Sequence, residues 1–194
     1  MKKIIGFSAK KQGGKTTAVN YLVSECLRLG KVVEPINFAD ALKVFVMVEF
    51  CPKQWTFADL EDNKNAVLPC GQTVRRILQI VGSDWFRQID PDWWVNKWQA
   101  QVLESRAEII LVGDVRFANE VQAIGAAGGK TIRLLRAPFP EDQHSSETAL
   151  DSTWPHIFDG GIDNTEMSIP EQNAAVAEKV VSLYPELAGV GADQ

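Results

Sequence analysis

The chain has 194 residues, enough for one domain with a sizeable apolar core, and its net charge of −5 argues against a broad nucleic-acid surface, which needs a basic surplus. Three scattered cysteines, Cys26, Cys51 and Cys70, make neither a disulfide framework nor a metal-binding pair. No apolar run has the length of a membrane span, and the stretch behind Met1-Lys2-Lys3 is too short for a signal peptide, so the expectation is a cytoplasmic protein with no membrane partner.

In chain order, the apolar run 4–8 reads as a short buried strand. Val19, Leu22, Val23, Cys26 and Leu27 recur at helical spacing and predict a helix over 14–29, ended by Gly30. Residues 32–38 read as a second strand, which Pro35 places near a sheet edge. A helix is expected over 40–50, and a loop-rich stretch over 51–70, where prolines and polar residues interrupt any period. Val74, Ile77, Leu78 and Val81 predict a helix over 73–81, and Asp90-Pro91 opens another that runs to about 106. Residues 108–112 form the clearest strand pattern, ending at Gly113-Asp114, followed by a helix over 117–127 closed by Gly128-Gly129 and a strand over 131–135. Residues 137–152 lack periodicity and read as a mobile polar segment; a last short strand is expected over 156–162, a final helix over 169–184, and a frayed tail from 189.

Strands alternating with helices predict an α/β protein: three layers, α/β/α, around a mostly parallel five-stranded sheet. Residues 1–188 are read as one domain carrying a helical insertion at about 40–106 and a lid at about 136–150, with 189–194 as a tail. Ligands bind such sheets at the carboxyl ends of the strands, so residues 9–16, 38–43 and 114–120 are expected near one another.

The first of these segments reads Ala9-Lys10-Lys11-Gln12-Gly13-Gly14-Lys15-Thr16-Thr17. It fits the phosphate-binding pattern G-x-x-x-x-G-K-[ST] at every position but the first, and it lies between a predicted strand and a predicted helix. Gly13 and Gly14 allow backbone N–H groups to turn inward around an anion, and the helix start adds partial positive charge. Lys15 would neutralise β- and γ-phosphate charge, Thr16 Oγ would bind Mg²⁺, and Thr17 is placed for a further phosphate contact; the segment is therefore read as a nucleotide site for ATP with Mg²⁺. Ala9 is compatible with such a loop if its φ is negative.

Asp114 follows the strand 108–112, where a carboxylate can hold Mg²⁺ through water, orient a substrate hydroxyl, or cap the next helix. Arg116 lies two residues on, along the same side of an extended segment. Phosphoryl transfer needs cations, and Lys43, Arg75, Arg76, Arg87, Arg116, Arg133 and Arg136 supply them. His144 and Glu147 stand too far from other ligand types to form a zinc site and are assigned to the lid. Trp85, Phe86, Trp93, Trp94 and Trp98 include rings at core spacing, with one available to reach a substrate base.

With these motifs assembled, the chain resembles the bacteriophage-type deoxynucleoside monophosphate kinases, a branch of the P-loop nucleotide kinases. "AKKQGGKTT" (9–17), "NFADALK" (37–43), "RRILQIVGSDWFRQIDPDWWV" (75–95), "GDVRFANEVQAI" (113–124) and "HSSE" (144–147) carry the likeness, and "DVRFANE" is the most telling. The resemblance implies a P-loop kinase fold and transfer of the ATP γ-phosphoryl group to a dNMP, giving dNDP and ADP. It implies donor contacts from Ala9, Lys11, Gly13, Gly14, Lys15, Thr16 and Thr17, with Thr16 and Asp114 toward Mg²⁺. Phe38, Asp40, Lys43, Arg75, Gln79, Arg87, Trp94 and Glu120 would face the acceptor, and Lys15, Asp114, Arg116 and Arg136 would serve catalysis. The partner implied is a small-molecule dNMP rather than nucleic acid, and a homodimer is compatible with the aromatic-rich region. Two departures stand out: Ala9 replaces a glycine, and Thr16 stands where the family often has aspartate. Other readings keep the fold but change the acceptor, to another small molecule or a modified base in DNA, or make the chain a catalytically inactive nucleotide-binding regulator, for which Ala9 is the ground.

Overall fold

The computed structural model describes residues 2–136, 149–150 and 156–192. The expected mobile segment, with His144 and Glu147, lies outside them except for Ala149 and Leu150. In chain order the elements are β1 (Lys3–Ser8), α1 (Lys15–Arg28), β2 (Val33–Pro35), α2 (Asp40–Phe50), α3 (Phe57–Asp62), α4 (Val74–Gln79), a π turn (Ile80–Trp85), α5 (Phe86–Ile89), α6 (Trp93–Glu104), β3 (Ile109–Val112), α7 (Ala118–Ala126), β4 (Lys130–Leu135), β5 (Gly160–Asp163), α8 (Ile169–Leu183) and a 3₁₀ turn (Pro185–Leu187). The chain divides into two compact units, 1–37 with 101–194, and 38–100.

The first unit is a five-stranded sheet in the order β2-β3-β1-β4-β5, with every neighbouring pair parallel. Alternate residues leave opposite faces of a strand. Ile5 and Phe7 of β1, Leu111 of β3 and Ile132 of β4 therefore share one face, where they pack with Leu22 and Cys26 of α1 and Val176 and Val180 of α8. Gly6 points to the other face, where a Cβ would stand 2.6 Å from Ile124 Cδ1, so glycine permits the close approach of α7. Helices on both faces of a parallel sheet, with a glycine-rich loop leading from the central strand into α1, give the three-layer P-loop fold expected from the sequence.

Three boundaries in this unit differ from expectation. β2 is an edge strand of only three residues; Pro35, which brings no N–H, is tolerated at the edge, and Ile36 N–H beyond it still donates to Leu111 O (2.9 Å). The last strand begins at Gly160 rather than 156; Asp159 instead caps the start of β4, accepting the Thr131 N–H and the Lys130 ammonium, each at 2.8 Å. The tail is not frayed through Ala192. Arg28 Nη2 donates to Gly189 O (2.7 Å), Gly191 N–H donates to Glu25 Oε2 (2.7 Å), and Val190 is 4% exposed in the core. α1 thus supplies both a cation and a carboxylate that a short polar tail can reach.

The second unit is helical. α2 spans the residues predicted for it. α3 forms within the stretch read as loop, because Thr56 and Asp59 cap each other. Thr56 Oγ1 accepts from Asp59 N–H (3.3 Å), and the Asp59 carboxylate accepts from Thr56 N–H (2.7 Å). α4 does not stop at 81 but runs through the π turn into α5. Gly82 in that turn lets α2 pack closely, since a Cβ there would lie 2.5 Å from Leu42 Cδ2. Asp90-Pro91 makes a turn ahead of the helix rather than its first residues: Asp90 Oδ1 accepts from Asp92 N–H (2.9 Å), and α6 starts at Trp93. Leu42, Val46, Leu60, Ile77, Val81 and Trp94 form this unit's core.

Candidate active site

The phosphate loop begins where β1 ends. Ser8 and Ala9 are buried, Lys11 and Gln12 are exposed, and the turn closes through Gly13 N–H to Lys10 O (3.0 Å). Among the described residues, Gln12 is the one non-glycine with positive φ, at 59°. Ala9 therefore needs no left-handed backbone, and its methyl joins the core beneath α1. The ground for an inactive protein disappears with that observation. Ala9 instead constrains a neighbour: a Cβ on Gly13 would stand 2.7 Å from the Ala9 Cβ.

Gly14, which has no side chain to cap with, opens α1 at φ 93°. The first turn also contains no acidic residue. Backbone donors and the positive end of the helix dipole therefore meet at the loop, with no carboxylate in the helix's own first turn to oppose them. Lys15 folds back over the same loop, its Nζ donating to Ala9 O (2.6 Å) and Lys10 O (3.0 Å). Thr16 is exposed and Thr17 half-buried on the first turn.

β3 brings Asp114 alongside this loop. Parallel register pairs Gly6 with Val112, and Val115 N–H still donates to Phe7 O (3.2 Å), so the strand ends run on together. Asn37 fixes the exit of β3 by accepting the Gly113 N–H (2.8 Å). Glu120 caps the start of α7: its Oε2 accepts from Arg116 N–H (2.7 Å) and Phe117 N–H (3.1 Å). Glu120, expected at the substrate, is 2% exposed and turned to the backbone. The carboxyl ends of β1 and β3, from which segments 9–16 and 114–120 depart, thus lie side by side within the first unit. Arg136 is half-buried at the end of β4, where it donates to Asn164 O (3.2 Å) and Met167 O (3.1 Å).

Sequence reasoning missed Asn164 and Gln172. Asn164 Nδ2 donates to Gly13 O (3.2 Å) and Gln172 Oε1 (2.7 Å), and Gln172 Nε2 donates to Gly14 O (3.2 Å). Both side chains are buried. Their separation from the loop in sequence left no local pattern to read. Arg133, seen only as one of several cations, is buried on β4 and donates to Ser8 Oγ (2.7 Å).

In the second unit, Lys43 is flanked by Glu61 (3.0 Å) and Asp40 (3.4 Å), and its ammonium lies over the Phe57 ring. Burial alone would raise the Glu61 carboxyl, but Lys43 and Lys64 outweigh it and hold the group below its ordinary range. Arg75 reaches Asn65 Oδ1 (3.4 Å), Arg87 donates to Pro91 O (3.2 Å), and Gln79 ends α4 half-buried. Phe38 and Trp94, expected at the acceptor, are buried, as the core spacing of Trp94 predicted for that residue. Phe38 is 2% exposed and packs on Trp98 at 4.6 Å, while the Trp94 indole N–H donates to Gly82 O (2.9 Å).

Among the described residues no helix is long and apolar enough to cross a membrane. A family profile described as deoxynucleotide monophosphate kinase matches residues 36–158. A protein of Acanthamoeba polyphaga mimivirus, provisionally named a deoxynucleotide monophosphate kinase, is 30% identical over 164 residues, 77% of this chain and 82% of that protein. An uncharacterized protein of Ictalurid herpesvirus 1 (strain Auburn), ORF77, is 34% identical over 85 residues, covering 40% of this chain and 36% of the viral one. Shikimate kinase from Aquifex aeolicus aligns over 96% of this chain and 99% of its own, with a TM-score of 0.48 and 15% identity. The family profile takes in the Asp114–Arg116–Glu120 turn, the mimivirus relative is matched along most of its length, and the chain accordingly belongs to the deoxynucleotide monophosphate kinase family and is a nucleotide kinase of the P-loop type.

Proposed function

We propose that the protein transfers the γ-phosphoryl group of ATP to the 5′-phosphate of a deoxynucleoside monophosphate. One acceptor phosphate oxygen forms the new bond to γ-phosphorus, the bond to the β,γ-bridging oxygen breaks, and ADP leaves with that oxygen's electron pair. No covalent enzyme intermediate is required; the protein's contribution is positioning and charge neutralisation. The observation that carries the reading is the opening of α1: Gly13 and Gly14, a first turn with no acidic residue, and Lys15 folded over the loop. N–H groups of residues 13–17 hold the donor phosphates, and Lys15 swings from the Ala9 and Lys10 carbonyls to the phosphate oxygens. The Thr16 hydroxyl and Asp114 carboxylate are hard oxygen donors suited to Mg²⁺, which neutralises phosphate charge when bound. Arg116 is assigned to the transferring group. Asp40, Lys43, Arg75, Gln79 and Arg87, all in the second unit, are assigned to the acceptor.

The test is a panel of dNMPs and NMPs offered with ATP and Mg²⁺, with products separated by chromatography. Formation of dNDP and ADP in equal amounts is expected; ADP without a phosphorylated acceptor sinks the proposal. Lys15→Ala should lower turnover by about a hundredfold or more while the circular dichroism spectrum is retained. Turnover near that of the parent would remove Lys15 from the mechanism.

A further inference from the structure

We propose that Asn164 and Gln172 form an amide clamp that aims the phosphate-binding N–H groups, making both positioning residues for the donor nucleotide. The inference rests on the loop's being the donor site. In a planar trans peptide the C=O and the following N–H point in opposite directions. Fixing the Gly13 carbonyl therefore fixes the Gly14 N–H, and fixing the Gly14 carbonyl fixes the Lys15 N–H. Asn164 Nδ2 holds the first carbonyl and Gln172 Nε2 the second, each at 3.2 Å. The Gly14 carbonyl already accepts the helical bond from Ala18 N–H (3.0 Å), so the less constrained peptide is the one Asn164 holds.

The clamp has its own supports. Asn164 Nδ2 also donates to Gln172 Oε1 (2.7 Å), which sets the orientation of both amides. Asn164 N–H donates to Leu135 O (2.9 Å), and Asn164 O accepts from Arg136 Nε (3.2 Å), anchoring the residue to the end of β4. Asn164 is 0% exposed, and among the described residues its Oδ1 has no hydrogen-bond partner. Leaving a buried acceptor unsatisfied is costly, and the opposite amide orientation would instead set oxygen against the Gly13 carbonyl. Gln172 also closes on the loop sterically: a Cβ on Gly14 would lie 2.3 Å from its Oε1. The family reading assigns no role to either residue, and Arg136 acquires one here as a brace for the clamp.

Two variants test this in the full-length protein. Gln172→Glu keeps the acceptor for Asn164 but places an oxygen against the Gly14 carbonyl; Asn164→Ala removes the bond to Gly13. For each, the dissociation constant of ATP·Mg²⁺ is measured by titration calorimetry, with KM for ATP and for the dNMP, alongside the unfolding midpoint. The expected result is ATP affinity weakened about tenfold or more, roughly the worth of one well-placed hydrogen bond, with KM for the dNMP within about twofold of the parent. A purely structural role would lower the folded fraction and turnover without moving either constant, and that result overturns the proposal. If Asn164→Ala does not fold, Gln172→Glu decides alone. Parent protein that binds no ATP would defeat the donor-site assignment itself; parent binding with unchanged affinity in the variants would defeat only the clamp.

Discussion

At the scale of single residues, the phosphate loop holds its shape at a local cost. Gln12 stands at φ 59°, a conformation that costs a residue with a Cβ about 1–2 kcal/mol. Glycine would relieve that strain but would lose more backbone entropy on folding, and the two effects nearly cancel. Gln12→Gly should therefore alter stability by less than about 0.5 kcal/mol, while β-branched Gln12→Val should destabilise by about 1–2 kcal/mol. Urea unfolding of both variants checks this, and a Val variant as stable as the Gly variant would refute the argument from backbone strain. Ala9 makes the complementary point. Its side chain is part of the core, and what it demands is a glycine four residues later, not a particular backbone of its own.

At the scale of elements, two contacts carry more than their lengths suggest. Glu61 of α3 joins Lys43 of α2 and Lys64, and its pKa is depressed in the folded protein. A depressed carboxyl contributes stability above its unfolded pKa of about 4.3, and that contribution disappears as pH falls through the lower folded value. Glu61→Gln should thus destabilise near neutral pH, and the difference from the parent should shrink progressively below about pH 4. Denaturant midpoints across that range measure it; a gap that stays constant with pH would mean that the ion pairs contribute nothing. The second contact is the tail against α1. Removing residues 189–194 deletes the buried Val190 side chain and the bonds to Arg28 and Glu25, and should cost about 2 kcal/mol after the regained chain entropy is counted. An unchanged thermal midpoint in the truncated protein would contradict the docked tail.

At the scale of the molecule, the three thiols report on different layers. Cys26 is buried in the first unit's core, and burial, with the nearby Glu25 charge, pushes its pKa up to about 11. Burial also raises Cys51, which is half-buried, whereas Cys70 is exposed. With a thiol-specific chromogenic reagent near pH 8, Cys70 should react first, Cys51 slowly, and Cys26 only as the first unit unfolds. Early labelling of Cys26, located by peptide mapping, would contradict the packing of α1 on the sheet.

The sequence by itself determined whatever is written in short windows. The parallel α/β alternation followed from apolar period and turn residues, and the phosphate loop from nine consecutive residues between a strand and a helix. Where a cap depended on a reciprocal pair, as for Thr56 and Asp59, the signal was local but lay in a stretch dominated by breakers. The burial of Phe38, the turning of Glu120 toward backbone N–H groups and the hold of Asn164 and Gln172 on the loop were decided only in three dimensions. Each depends on what another part of the chain presents: a ring, a carbonyl or a helix start. Strand register and helix packing choose those partners, and a one-dimensional pattern carries no record of the choice.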